Sequence, residues 1–378
     1  MIFIRHPRSL LVTALLLSVA SAPVVHALER PDVTYQVFQF PADKIPRIDG
    51  DASDWAMVPE SYAVGKDQLI NDAKTPPAAG ERSLAVRVRV GWVQGLNRLY
   101  FLYEAEDDFW EFSGPGLRND TFEIIVDGDA SGGPLITKGH KEFWTPARVG
   151  ESAARPDDRI SVDAANWAGH GVTGQNYHIF TPAVEKDWTM AWGAATWIKE
   201  LPWANSAQSF NFKHGEAGKY TLEFWITPFD YAGPEGPARA VESVLAENKL
   251  IGLAWIVIDY DGSSPRGFWT LSLKRTSYGH ASELCAFRLM PLEPSLRPKL
   301  AAQWTWSVVD MDRRLVAFKD LSVGKVTAWK WDFGDGTTSA EQHPQHAYAK
   351  PGSYVIILDV TGPDGTSRRS KVWDVQLK

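Results

Sequence analysis

The chain has 378 residues with 17 Trp, 17 Phe and 11 Tyr, and its formal net charge is −7 at pH 7. This length exceeds one ordinary domain and accommodates two well-packed ones. The negative charge leaves no basic stripe to neutralise phosphates, which argues against nucleic acid as a partner. The aromatic content favours β-structure and supplies flat faces that can stack on sugar rings, with core packing as the alternative for each tryptophan.

The N-terminal residues have the pattern of a signal peptide. Arg5 and Arg8 precede an apolar run at 10–25, and a small-residue cleavage site ends at Ala27. The run is short for a membrane span and no second one follows, so we expect residues 1–27 to be removed and the mature protein to be secreted or periplasmic. The single cysteine, Cys285, has no partner for an intramolecular disulfide, and its apolar neighbours predict a buried thiol.

Alternating and continuous apolar segments predict strands along most of the chain. Residues 84–90 and 98–108 flank a "QGLN" turn and predict a hairpin. The segment "LIGLAWIVIDYDG" predicts a strand buried on both sides, and residues 238–249 predict one short helix. Further strands are predicted at 33–40, 119–126 and 219–231, loops at 71–83, and short strands with long loops at 133–218.

Proline-rich residues mark a break between two domains. "PLEPSLRPKL", residues 291–300, has three prolines and no periodicity. We therefore predict a large domain at 28–293, a linker at 294–302 and a small domain at 303–378. Both domains show closely spaced strands, so the predicted fold class is all-β with two β-sandwiches.

The motif "WDFGDGTTS", residues 331–339, poses a choice between an acidic ligand loop and a tight turn. Trp331 and Phe333 alternate into a core, Gly334 and Gly336 allow positive φ, and Asp335 can bond its own turn. These features favour the turn, with calcium binding by the acids as the alternative. With the downstream "PGSY" segment, the motif resembles the polycystic-kidney-disease (PKD) repeat. That resemblance implies an immunoglobulin-like sandwich that serves as a spacer or adhesion module.

The larger domain contains several ordered motifs. They are "RIDGDASDW" (47–55), the acidic pair Asp107–Asp108, "NDTFEIIVDGD" (119–129), and a late strand that carries Glu223 and Pro228. Together they resemble the family 9 carbohydrate-binding modules and their DOMON-related relatives over residues 30–293. The resemblance implies a β-sandwich that binds oligosaccharide or polysaccharide without cleaving it.

Sugar binding on such a scaffold needs exposed aromatic faces beside groups that bond hydroxyls. Core packing remains the alternative for each aromatic candidate. The candidates for stacking are Phe109, Trp110, Trp144, Trp167 and Trp192, and those for polar contacts are Arg118 and Gln175.

Two acidic turns supply oxygen ligands of the kind calcium prefers. One carries Asp127 and Asp129, and the other carries Asp259 and Asp261. Neither matches the twelve-residue EF-hand loop, and plain turn chemistry is the alternative. The family resemblance implies a structural calcium ion at one of these turns.

Two other functions are weighed against binding. A glycoside hydrolase needs two carboxylates across a cleft, and Glu123 and Glu223 are the pair on strands. No nucleophile elbow, HExxH or Cys–His pair is present, so we expect no catalysis. Haem between a histidine and a methionine is the other alternative, without covalent attachment because CxxCH is absent, and we do not expect it. Its candidate ligands are His140, His170, His178, His214, His280, Met190 and Met290.

Overall fold

In the computed structural model the chain forms two compact units, and the boundary between them in the sequence lies between Pro291 and Leu292. The structure describes residues 28–73, 84–133, 135, 171–193, 195–233 and 235–377. Within these residues, none of the helices has the length and apolarity that a membrane crossing demands. The predicted signal peptide lies outside the described residues.

The first unit is built almost entirely of strands. They are β1 (Glu29–Gln39), β2 (Val64–Gly65), β3 (Ile70–Asn71), β4 (Ala85–Trp92), β5 (Leu99–Asp107), β6 (Thr121–Asp127), β7 (Gln175–Phe180), β8 (Thr189–Ala191), β9 (Ala204–Phe210), β10 (Gly218–Ile226), β11 (Phe229–Tyr231), β12 (Val241–Glu242), β13 (Leu250–Asp261), β14 (Ser264–Thr270) and β15 (Cys285–Leu289). Short 3₁₀ turns span Ala52–Met57, Glu60–Tyr62, Lys66–Gln68, Thr196–Lys199, Pro237–Arg239, Arg275–Gly279 and Ala281–Glu283.

These strands form two layers that share β1. The front layer has the order β8-β7-β6-β13-β15, with β14 paired to β13 and β3 paired to β14. The back layer has the order β4-β5-β10-β9. Strand β1 pairs in parallel with β15 from Thr34 to Val37, and then with β4 from Phe38. The two layers face each other, because Tyr103 of β5 stacks on Phe122 of β6 with ring centroids 4.4 Å apart.

The core between the layers follows the predicted alternation. Val86, Val88 and Val90 are buried on β4, and Phe101 of β5 stacks on Phe224 of β10 at 4.6 Å. The hairpin of β4 and β5 is confirmed, with paired residues from Ala85 to Trp92.

Strand β13 is buried on both faces, as its continuous apolar sequence predicts. Its inward side chains join the main core. Its outward Ala254 packs in a second cluster with Ile125, Leu135 and Leu284, so part of the outer face of the front layer is covered as well. Cys285, the first residue of β15, is buried, as predicted.

The predicted helix at 238–249 is wrong. After one 3₁₀ turn, the chain enters β12, which pairs with β11. The Ser243 backbone N–H donates to the Pro228 carbonyl at 2.9 Å, while Val241 and Val244 are exposed. Of the apolar residues in this segment, Leu245 reaches the core while Val241 and Val244 do not, and pairing with β11 satisfies the backbone instead of a helix.

The second unit is a smaller sandwich with its own core. Its strands are β16 (Trp304–Asp310), β17 (Leu315–Asp320), β18 (Ala328–Asp332), β19 (Thr338–Ser339), β20 (Gln345–Ala347), β21 (Gly352–Gly362) and β22 (Gly365–Leu377), preceded by a 3₁₀ turn at Pro294–Leu296. One sheet has the order β16-β17-β20 and the other β19-β18-β21-β22. Ala301 already bonds Val323, and Ala302 is buried in this core, so the ordered unit includes the end of the predicted linker.

The "WDFGDGTTS" segment is a tight turn entered from a core strand. Trp331 and Phe333 are buried, and the Asp335 carboxylate accepts from the Thr337 backbone N–H at 3.0 Å. Gly334 has φ +78°, and a Cβ there would lie 2.5 Å from the Val355 carbonyl oxygen. The turn interpretation of this motif is therefore confirmed.

The "IDG…W" turn is fastened to the back layer by one carboxylate. Glu223 of β10 accepts from the buried Trp55 indole at 2.9 Å and from the Gly50 backbone N–H at 2.8 Å. A third donor, the Asp49 backbone N–H, lies at 3.3 Å. Gly50 has φ +85°, and a Cβ there would approach the Gln208 backbone to 3.1 Å. The buried Glu223 carboxylate thus accepts hydrogen bonds from three donors of residues 47–55, which form the entry turn of this unit.

Replacing Glu223 by alanine should lower the free energy of unfolding by about 3 kcal/mol, because the buried Trp55 indole and two backbone donors lose their acceptor. Urea denaturation followed by tryptophan fluorescence measures this change. The exposed Glu106 on the same layer is the control, and its alanine variant should change the value by less than about 0.5 kcal/mol. A similar small change for both variants would contradict the assigned role.

Candidate functional site

A cavity of about 300 Å³ opens on the outer face of the front layer. Cross-strand pairing explains its floor: Glu123 of β6 lies opposite His178 of β7 and Ile256 of β13, so all three project outward together. Phe268 of β14 lies opposite Ile258 and extends the same face. The lining residues are Leu117, Glu123, His178, Trp192, Ile256, Ile258, Tyr260, Phe268, Arg275 and Tyr278.

The floor of the cavity holds a connected polar group. The Asn176 side-chain amide donates to Glu123 Oε1 at 2.9 Å, and His178 Nε2 lies 3.3 Å from the same oxygen. The Trp192 indole donates to His178 Nδ1 at 2.6 Å. Because Nδ1 accepts this bond, the neutral ring carries its proton on Nε2, facing Glu123.

The carboxyl of Glu123 is held near its protonation midpoint at neutral pH. Its side chain is buried, and this burial raises its pKa to about 7, against the opposing effects of the Asn176 hydrogen bond and the Arg275 charge. A carboxyl in this state can donate a hydrogen bond when protonated and accept one when ionised. Either form is suited to a ligand hydroxyl.

Aromatic side chains form the walls. Trp192, Tyr260, Phe268 and Tyr278 are half-buried, so part of each ring faces the cavity. The Arg275 guanidinium lies 3.7 Å from the Phe268 ring centroid, which fixes this charge at the rim. The arrangement offers flat apolar faces around a few polar groups, as small-ligand sites do.

Of the residues predicted to stack on a sugar, Trp192 lines this cavity. The prediction for Trp110 is wrong, because only 1% of its surface is exposed. Its ring stacks on Phe212 at 4.8 Å, and its indole donates to the Gly218 carbonyl at 2.9 Å. Trp144 and Trp167 lie outside the described residues.

The polar candidates do not reach the cavity. The prediction for Gln175 is wrong, since its buried amide bonds both the N–H and the carbonyl of Phe229, at 2.9 and 3.0 Å. Arg118 is exposed and does not line the cavity. Phe109 is half-buried beside His214, with ring centroids 5.9 Å apart, and it too lies outside the lining.

Several lining residues carry no strong sequence signal. Tyr260, Phe268, Arg275 and Tyr278 come from one stretch whose partial exposure follows from pairing and not from composition. The position of Glu123 could be predicted from sequence. Side chains alternate along a strand, and its neighbours Phe122 and Ile124 face the core, so Glu123 must face the outer surface.

The two acidic turns predicted for calcium lie at separate places on the first unit, and a calcium ion at either turn stays a prediction. Asp127 is the neighbour of β13 at Gly252, whereas Asp259 follows seven residues later (252 to 259), about 23 Å along the strand. Asp129 is exposed and bonds the Ser131 N–H at 3.0 Å. Asp261 pairs with Arg266 at 2.7 Å.

Asp259 instead meets two other acids. Carboxylate oxygens of Asp107, Asp120 and Asp259 lie within 4.8 Å of one another, and all three residues are buried. Burial raises the pKa of Asp107 to about 7 and that of Asp259 to about 8, and it raises the pKa of Asp120 as well. Among the described residues, these three carboxylates lie close enough together to be able to hold a metal ion.

The two carboxylates considered for catalysis lie on different layers, and two of the candidate haem ligands lie side by side. Glu223 lies on the back layer in contact with the entry turn, so it shares no cleft with Glu123 of the front layer. His178 and Met190 are cross-strand partners on one face, which leaves no space for a macrocycle between them. His140 and His170 lie outside the described residues.

Comparison with known proteins identifies one part of the chain by family. Residues 303–377 match the family model of the PKD domain. The chain is 44% identical over 48 residues to collagenase ColQ1 of Bacillus cereus strain Q1, a match that covers 13% of this chain and 5% of that relative. The chain therefore spans about a twentieth of the length of this curated relative.

Two solved structures are also similar. A family 9 carbohydrate-binding module from Caldicellulosiruptor kristjanssonii, solved with cellotriose, covers 70% of this chain and 97% of its own, with 10% identity and a TM-score of 0.41. The PKD1 domain of the Vibrio cholerae metalloprotease PrtV covers 20% of this chain and 98% of its own, with 29% identity and a TM-score of 0.17. By the match of the family model, residues 303–377 are a PKD domain.

Proposed function

We propose that the first unit binds an oligosaccharide or polysaccharide, without cleaving it, in the cavity of the front layer. The observation that carries this proposal is the buried Glu123–His178 pair surrounded by half-buried aromatic rings. A sugar presents apolar C–H faces and a perimeter of hydroxyls, and the cavity offers surfaces complementary to both.

Each group has a distinct role in this proposal. Trp192 and Tyr278 contact the apolar faces of the sugar rings, while Glu123, His178 and Arg275 bond hydroxyls. A volume of about 300 Å³ lies at the lower end of the range for ligand sites, so the cavity accommodates a short stretch of a glycan.

The arrangement of acids around the cavity supports binding without cleavage. Glycoside hydrolysis requires a second carboxylate across the bond, and Glu123 is the one carboxylate among the described lining residues. The PKD domain then serves as a spacer or adhesion module, and residues 1–27 direct export to the periplasm or the exterior.

Replacing Trp192 by alanine should weaken glycan binding about tenfold, because the apolar contact that is lost is worth about 1.5 kcal/mol. Affinity-gel retardation against xylan, mannan and starch, with titration calorimetry on glucose and cellotriose, measures this. The Trp192→Phe variant should retain most of the affinity, since a flat face remains.

Phe109→Ala is the matched control for this experiment, because Phe109 is a half-buried aromatic residue outside the cavity, and its affinity should equal that of the wild type. Wild-type protein that is retarded by none of these glycans, or equal losses in the Trp192 and Phe109 alanine variants, would contradict the proposal.

Glycan affinity should rise about fivefold between about pH 6 and pH 8, because Glu123 ionises near pH 7 and a charged acceptor forms the stronger bond. Calorimetric titrations across this range measure the effect. In the Glu123→Gln variant, which cannot ionise, affinity should be lower and the rise should disappear. A rise that persists in that variant would assign the titration to another group.

A further inference from the structure

Arg275 brings a permanent positive charge to the cavity of the front layer. The other described lining residues are apolar or aromatic, except Glu123 and His178, which can both be neutral near pH 7. We propose that this cavity prefers an acidic sugar, and that Arg275 binds the carboxylate or sulfate ester that the sugar bears. This inference rests on the proposed function, because it names the class of glycan that the same cavity takes.

The charge of Arg275 is not matched by a carboxylate of the protein. Its neighbour in the chain, Lys274, pairs with Glu29 at 2.8 Å and with Glu283 at 3.7 Å. Among the described residues, Arg275 has by contrast neither an ion pair nor a hydrogen-bond acceptor for its half-buried guanidinium. The donors of this side chain are therefore available to a ligand.

The Phe268 ring holds the Arg275 guanidinium in place without using its hydrogen-bond donors. The guanidinium carbon lies over the ring, 3.7 Å from the centroid, and a cation held in this way keeps its N–H groups for other partners. Phe268 is itself fixed, because it pairs with Ile258 of β13 and its backbone N–H donates to Asn71 Oδ1 at 3.2 Å. The planar set of donors is thus preorganised for two oxygens of one anion.

The floor of the cavity does not repel an anion below neutral pH. Burial raises the pKa of Glu123 to about 7, so at pH 6 this carboxyl is mostly protonated and can donate to a hydroxyl. The charge of the cavity is then that of Arg275. A neutral sugar can bond this guanidinium through a hydroxyl, but a carboxylate or sulfate oxygen is the stronger acceptor and also neutralises the charge.

Calorimetric titration of the full chain at pH 6 with D-glucose, D-glucuronic acid and D-glucose 6-sulfate tests the inference. These sugars differ at C6, where the last two carry one negative charge. At least one acidic sugar should bind about tenfold more tightly than glucose at low salt, because hydrogen bonds to charged groups are the stronger ones. The tighter of the two identifies the acidic group. The preference should fall severalfold when NaCl is raised from about 20 mM to about 500 mM.

Substitutions at two neighbouring cations assign the preference to one residue. Arg275→Gln should bind acidic and neutral sugars with equal affinity, because the charge is removed. Arg275→Lys should keep part of the preference, since the charge remains while the planar set of donors is lost, and it replaces the glutamine variant if that one does not fold. Lys274→Gln is the matched control and should keep the wild-type preference, because Lys274 faces Glu29 and Glu283.

The outcomes separate this inference from the proposed function. Equal affinity of the wild type for glucose and both acidic sugars overturns the inference alone, as does binding of cellotriose with binding of neither acidic sugar. A preference that Arg275→Gln retains, or that Lys274→Gln loses, also overturns it. A chain that binds none of these sugars and none of the neutral glycans overturns the inference and the proposed function together.

Discussion

Every residue of β6 faces either the core or the outer surface, because side chains alternate along a strand. Phe122 and Ile124 therefore pack inward against the back layer, while Glu123 between them reaches the cavity. The same alternation on β7 places Tyr177 in the core and His178 beside Glu123. The site therefore depends on the register of these strands. A shift of one residue in either strand would turn its core side chains outward and its site side chains inward.

Much of the fold follows from these local rules. The hairpin of β4 and β5, the doubly buried β13 and the Trp331 turn were all predictable, since each depends on neighbouring residues whose pattern is visible in sequence. The helix prediction at 238–249 failed for the opposite reason. A short helix was predicted there, but β11 offered Val241 and Glu242 a backbone partner that sequence alone does not reveal.

The candidate site was harder to predict, because residue type does not separate exposed aromatic side chains from buried ones. Trp110 and Trp192 are both tryptophans. Trp110 stacks on Phe212 in the core, whereas Trp192 lines the cavity. Asp259 illustrates a related limit. Its sequence neighbour Asp261 made a turn site the natural expectation, whereas its contacts with Asp107 and Asp120 arise only when two sheets come together.

Strand β1 belongs to both layers, and this has a mechanical consequence. The first half of β1 is hydrogen-bonded to β15 and the second half to β4. Neither sheet can therefore slide past the other without breaking backbone hydrogen bonds of β1. Shear is thus opposed by directional bonds as well as by apolar contact. The two sheets of the first unit should accordingly melt together as one cooperative block.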